Sequence, residues 1–135
     1  MSIIHGQSEK TFSPEVVEKI QNRDIFTLNK ALSAAPLVFE TGELHVIVSN
    51  VCEVYPTYRY KKSVKKNFAC FFMAKLENGS DSESIVYVSL GNFSNSWYIG
   101  DDNRNFDKYL SNGYLKKEYR QPILDSISAW ILKLP

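Results

Sequence analysis

From Leu37 to Ile99 the chain runs through one Val-, Ile- and Phe-rich stretch after another, with polar turns between them and no helical repeat. That order calls for antiparallel pairing, because parallel neighbours need a long crossover, usually a helix. Leu37–Glu40 reads as a short strand, Thr41-Gly42 as a turn, and Glu43–Tyr55 as a long second strand. Within it Leu44, Val46, Val48, Cys52 and Val54 share the parity expected to face a core, while His45, Ile47, Ser49, Val51 and Glu53 share the other. Asn50 interrupts the core-facing set, which predicts a β-bulge near Ser49-Asn50. Residues 67–77 are the most apolar run. Phe68, Cys70, Phe72, Ala74 and Leu76 fall on one face and Ala69, Phe71 and Met73 on the other, as in a central strand. Asn78-Gly79 opens a polar turn, Ile85–Leu90 gives a further strand, and Trp97-Tyr98-Ile99 a short last one.

Helical patterning flanks this region. Ser13-Pro14-Glu15 is a helix start, with Ser13 as cap, Pro14 at the first position and Glu15 at the positive end of the dipole. Val17, Ile20, Leu28, Ala31, Leu32 and Ala35 then recur on one face, predicting helix over about 14–35. Asn22-Arg23-Asp24 is a potential break, with Asp24 capping a second helix, and Pro36 ends the run. Beyond Gly100, Phe106, Tyr109 and Leu110 are spaced as in a helix that Asn112-Gly113 would stop with a left-handed cap. Residues 114–121 fit no single pattern. Pro122 is expected to open a last helix whose stripe, Ile123, Leu124, Ile127, Trp130, Ile131 and Leu134, packs on the sheet. The expectation is one α+β domain over 13–135, with a four- to five-stranded antiparallel sheet between helical segments, and a flexible arm over 1–12.

At 135 residues, 44% hydrophobic and 23% charged, the chain has the material for a core without disulfides or metals. Cys52 and Cys70 sit in apolar runs and are expected as buried free thiols, with no paired-cysteine zinc spacing. The first ten residues hold no apolar signal segment, and the longest apolar run, Phe68–Ala74, is far short of the ~20 residues of a membrane helix. A cytoplasmic protein that does not enter membranes is expected.

The net charge of +1 gives no global field, but the charges are segregated. Between Glu53 and Glu77 there is no acid, whereas Arg59, Lys61, Lys62, Lys65, Lys66 and Lys75 lie there, interleaved with Tyr55, Tyr58 and Tyr60. Most of them fall between two strong strands, which predicts a protruding basic hairpin. Such a hairpin suits an acidic protein partner, through complementary charge, or a nucleic acid, through lysine–phosphate contacts and tyrosine stacking. It is also what a solvated hairpin that discourages edge pairing would look like. Glu77, Asp81, Glu83, Asp101, Asp102 and Asp107 outnumber Arg104 further on, so the molecule is expected to be dipolar, a monomer or a weak homodimer.

Motif chemistry is sparse. Asp101, Asn103, Asn105 and Asp107 imitate the start of a calcium loop, but Phe106 replaces the required glycine and Asn112 the closing glutamate. His5 and His45 are isolated, with a His45–Glu43 contact the one pairing open to His45. No phosphate loop, nucleophile elbow or zinc motif occurs, so no catalytic, metal or cofactor residues are assigned. Trp97, Tyr98, Phe93, Tyr87, Phe106, Tyr109, Tyr114 and Tyr119 cluster in the second half, mostly as core-edge residues. The sequence favours a non-catalytic binding protein that meets an acidic macromolecule through Tyr58, Arg59, Tyr60, Lys61, Lys62, Lys65 and Lys66. Immunity- or inhibitor-type proteins that neutralise a toxin or effector are of this general kind. The alternatives are a nucleic-acid module using hairpin 58–67, and a small-ligand binder or enzyme with a cavity between sheet and helices near His45 or Cys52.

Overall fold

The computed structural model describes residues 12–21, 23–53, 70–79, 82–90, 97–99 and 104–135. Two short helices come first, α1 (Pro14–Gln21) and α2 (Ile25–Ala34). The Val16 amide donates to Ser13 Oγ at 3.3 Å, the expected cap. The helical run does break at residues 22–24. Asp24 stands at the N-cap of α2 with extended backbone, yet its carboxylate accepts from Thr27 Oγ1 (3.2 Å) rather than from an amide. Of the arm expected over 1–12, residues 1–11 lie outside the described residues, and Phe12 is packed in the core.

Four strands follow, β1 (Leu37–Thr41), β2 (Leu44–Glu53), β3 (Cys70–Glu77) and β4 (Glu83–Leu90), in one antiparallel sheet of order β1-β2-β3-β4. A two-residue turn, Gly42-Glu43, joins β1 to β2. Only Gly42 has positive φ (62°), which marks the type II′ geometry that follows strand twist. The bulge falls where Asn50 predicts it, with the β2–β3 register shifting between Val48 and Asn50. Its extra residue reverses the parity beyond it. Val51, not Cys52, therefore points inward; Cys52 is a half-buried free thiol on the opposite face, its Sγ 3.6 Å from Met73 Sδ. The expected inward position of Cys52 is corrected on this ground. The side chain of Cys70, and Val54 and Phe68 with it, lie outside the described residues.

One face of the sheet carries Leu44, Val46, Val48, Val51, Phe72, Ala74, Leu76, Val86 and Val88, all buried. Helix α3 (Lys117–Leu132) covers it with Ile123, Leu124, Ile127 and Ile131, and Trp130 meets Phe72 edge-on at 6.2 Å. Helix α2 adds Leu28 and Leu32, and α1 packs on α3. Among the described residues Thr41 is the one buried polar side chain in this layer. The layer is thus filled with apolar groups, and both His45 and Cys52 face away from it.

The region before α3 departs from the sequence reading. Arg104–Tyr109 is a 3-10 helix, and Leu110–Ser111 (β5) and Tyr114–Leu115 (β6) form a hairpin. Asn112 (φ 55°) and Gly113 (φ 85°) are its type I′ turn, not a helix cap. Trp97–Ile99 runs along β6, with bonds Ile99 N–H to Gly113 carbonyl (2.8 Å) and Leu115 N–H to Trp97 carbonyl (3.0 Å), and does not extend the main sheet. Helix α3 begins at Lys117, so Pro122 lies inside it instead of opening it.

Candidate functional site

Among the described residues no helix covers the outer face of the sheet, and the register arranges it in rows across the strands. One row runs Glu40, His45, Glu77, Glu83 from β1 to β4. The next runs Val38, Ile47, Lys75, Ile85; beyond the bulge come Asn50, Met73, Tyr87. Val38 (51%), Ile85 (42%) and Tyr87 (39%) are exposed, and Phe71 meets Tyr87 edge-on at 6.2 Å. The face is therefore acidic at one end and apolar and aromatic in the middle.

At the acidic end His45 Nδ1 lies 2.6 Å from Glu40 Oε2, its neighbour across the hairpin. This corrects the expected His45–Glu43 contact. Glu43 sits at the turn, and its carboxylate accepts from Lys108 Nζ (2.6 Å) and Tyr109 Oη (3.2 Å) instead. Lys75 Nζ is shared between Glu77 (3.6 Å) and Glu83 (3.7 Å). A cleft of about 530 Å³ is lined by His45, Glu77, Gly79, Ser82 and Glu83, and a depression of about 250 Å³ by Ile47, Ser49, Asn50, Met73, Lys75 and Ile85. Among the described residues no hydroxyl or thiol is hydrogen-bonded to His45, and no three His, Cys, Asp or Glu side chains are placed to hold a metal ion. The carboxylates stand at the surface beside His45 and Lys75, an arrangement suited to recognition.

The Glu43 cluster is the electrostatic focus of the opposite side. The Lys108 bond and charge hold the Glu43 carboxyl below its usual range, and the same bond raises the Lys108 ammonium. Burial, then the bond to Glu43, pushes the Tyr109 phenol up. Tyr109 stacks edge-on against Tyr119 of α3 at 5.2 Å, so the cluster ties the β1–β2 turn to the last helix.

The residues that the sequence singles out for binding, Tyr58, Arg59, Tyr60, Lys61, Lys62, Lys65 and Lys66, lie outside the described residues. The anchors of their segment are described. Residues 54–69 leave the last residue of β2 and return at the first of β3, and Glu53 and Cys70 are register partners. That end of the sheet is opposite the Glu40–His45–Glu77–Glu83 row. About eight residues of strand, roughly 25 Å, separate the acidic row from the root of the cationic segment. Among the described residues no helix is long and apolar enough to cross a membrane. Comparison with protein-family models, with curated proteins and with solved structures finds no match for this chain.

Proposed function

We propose that this is a non-catalytic binding protein of the cytoplasm that docks an acidic macromolecular partner, with the cationic segment 58–67 as the contact. One observation carries the reading: the segment is rooted on the two interior strands, between the paired residues Glu53 and Cys70. Its two ends are thus held together by the β2–β3 ladder, so less backbone freedom is lost on binding than in a free tail. Its five cations and no acids give it a single sign, and the acidic row lies at the other end of the strands from Glu53 and Cys70. The narrower form, an immunity- or inhibitor-type protein that neutralises an effector, is supported by small size and by the lack of a catalytic motif in the sequence.

The test is affinity capture from the native host lysate, with and without nuclease. The baits are the unaltered chain, the combined Lys61→Glu, Lys62→Glu, Lys65→Glu, Lys66→Glu variant, and the Tyr58→Ser, Tyr60→Ser variant. The expected result is one defined acidic protein, resistant to nuclease, lost with charge reversal and weakened by the tyrosine changes. Capture that vanishes with nuclease, together with a steep salt dependence for single-stranded oligonucleotide, would move the function to nucleic acid. Capture indifferent to charge reversal would remove the segment from the interface.

A further inference from the structure

The sheet's exposed edges are not treated alike. β1 is five residues long, follows Pro36, and has α3 packed on it. Where β2 runs on past the end of β1, Asn29 of α2 fills the missing strand's place. Its Nδ2 donates to the Val51 carbonyl and its Oδ1 accepts from the Val51 amide, both at 2.7 Å. Short length, proline and a covering side chain are the usual ways of blocking an edge. β4 is neither short nor interrupted by proline, and among the described residues no side chain bonds to its outer edge. It is eight residues, Glu-Ser-Ile-Val-Tyr-Val-Ser-Leu, without Pro, Lys or Gly, paired to β3 in unbroken register. No described strand pairs with its other side.

The ladder phase tells which of its backbone groups point outward. Val51 turns both polar groups away from β3, so its register partner Phe72 bonds toward β4, to Val88. The Asn78 amide donates to the Ser82 carbonyl in the same phase. Even-numbered residues of β4 therefore bond to β3, and the N–H and C=O groups of residues 83, 85, 87 and 89 face the open edge.

That set is complementary to itself. We propose that two copies of this chain associate through β4, antiparallel, about a two-fold axis at Val86, to make a continuous eight-stranded sheet. In this register residue 83 bonds residue 89 of the second copy, 85 bonds 87, 87 bonds 85 and 89 bonds 83. All four outward-facing residues are satisfied, by roughly eight backbone hydrogen bonds. Faces are preserved, because paired residues share parity. Ile85 comes to lie opposite Tyr87 of the second copy, an aliphatic–aromatic cross-strand pair of two side chains exposed in the single chain. The Glu40–His45–Glu77–Glu83 row of one copy is brought in line with the uncharged row of residues 89, 71 and 52 in the other. The two Glu83 side chains are kept at opposite ends of the junction. The inference stands apart from the proposed partner, since it uses the β4 edge and not residues 54–69.

The experiment is sedimentation velocity of the full chain across micromolar to millimolar concentration, with residue-resolved amide exchange on the same samples. The expected result is a monomer–dimer equilibrium in which the amides of 83, 85, 87 and 89 gain protection with concentration, while those of 86 and 88 are protected throughout. Tyr87→Pro removes an outward amide and no bond to β3, so it should raise the dimer dissociation constant at least about tenfold and leave the circular dichroism spectrum intact. Ile85→Lys with Tyr87→Lys, which adds edge charge without touching the backbone, gives the same loss if the proline variant does not fold. A monomer over the whole range, a dimer that survives both variants, or odd-numbered amides protected at every concentration would each overturn the proposal.

Discussion

The side-chain amide of Asn29 holds both main-chain polar groups of Val51, acting as a one-residue substitute for a strand. The bulge makes this contact necessary. It turns Val51 into the core while β1 has already ended at its register partner Val48, so the Val51 amide and carbonyl have no ladder on that side. Asn29→Ala leaves two part-buried backbone groups unmade and should cost about 2–4 kcal/mol in urea unfolding. Asn29→Asp keeps the acceptor for the Val51 amide but faces a carboxylate with the Val51 carbonyl. Protonation restores the donor, so the folded-state pKa of that group is raised. Its stabilisation is present at low pH and lost as pH rises through that value, and the deficit of Asn29→Asp against the unaltered chain should narrow on acidification.

The Glu43–Lys108–Tyr109 cluster sets a second pH dependence. Glu43, depressed below 4.5, contributes stability that is present above its ordinary value and lost as pH falls through the folded one. Lys108, raised above 10.5, contributes below its ordinary value and loses this as pH rises through the folded one. The link is intact at neutral pH and weakens at both extremes. Both side chains are well exposed, so the effect is small and screened by salt. Glu43→Gln should lower the urea midpoint at pH 7 by less than Asn29→Ala does. The difference from the unaltered chain should shrink in acid and in 1 M salt. A deficit that is unchanged in acid would assign the role of Glu43 to the turn instead.

The strands, their antiparallel order and the stripe of α3 were legible because period-2 and period-3.6 patterns are local. What was not legible depends on single residues with two meanings. Asn50 announces a bulge, but its consequence, that Val51 and Cys52 exchange faces, needs the count of residues opposite it in β3. Asn112-Gly113 is both a helix stop and the strongest hairpin turn signal. The spacing of Phe106 and Tyr109, three residues apart, fits a 3-10 turn as well as an α-helix. The row Glu40–His45–Glu77–Glu83 draws on three strands apart from β2, and sequence neighbours such as Glu43 are a poor guide to partners that register selects.

Gly42 is required twice over. Its φ of 62° is costly for a side chain, and a Cβ there would sit 2.9 Å from Tyr119 Cε1. Gly42→Ala should destabilise by about 1–3 kcal/mol, seen as a melting temperature lower by several degrees. In a Tyr119→Leu background the clash is relieved while the backbone cost persists. The loss on Gly42→Ala should then be smaller but not zero, and equal losses in the two backgrounds would show that the clash contributes nothing.

Pro122 is the sixth residue of α3, where the helix ladder expects an amide to donate to the Glu118 carbonyl. The proline removes that bond and crowds that carbonyl, and it disfavours helical backbone at Gln121 before it. A proline that opened the helix would avoid both costs, but the helix starts at Lys117, directly after β6, because the Lys116 amide is bonded to the Tyr109 carbonyl and closes the hairpin region there. Helix start and proline are thus set by different constraints, and the mismatch is borne by the first turns of α3. Pro122→Ala restores the donor, with a gain of about 1–3 kcal/mol in the folded helix against about 0.4–1 kcal/mol lost by freeing the unfolded chain. The net expectation is a more stable protein, with a higher urea midpoint and new exchange protection at the amide of residue 122. A lower midpoint would mean that the half-buried ring contributes more by packing than its missing amide takes away.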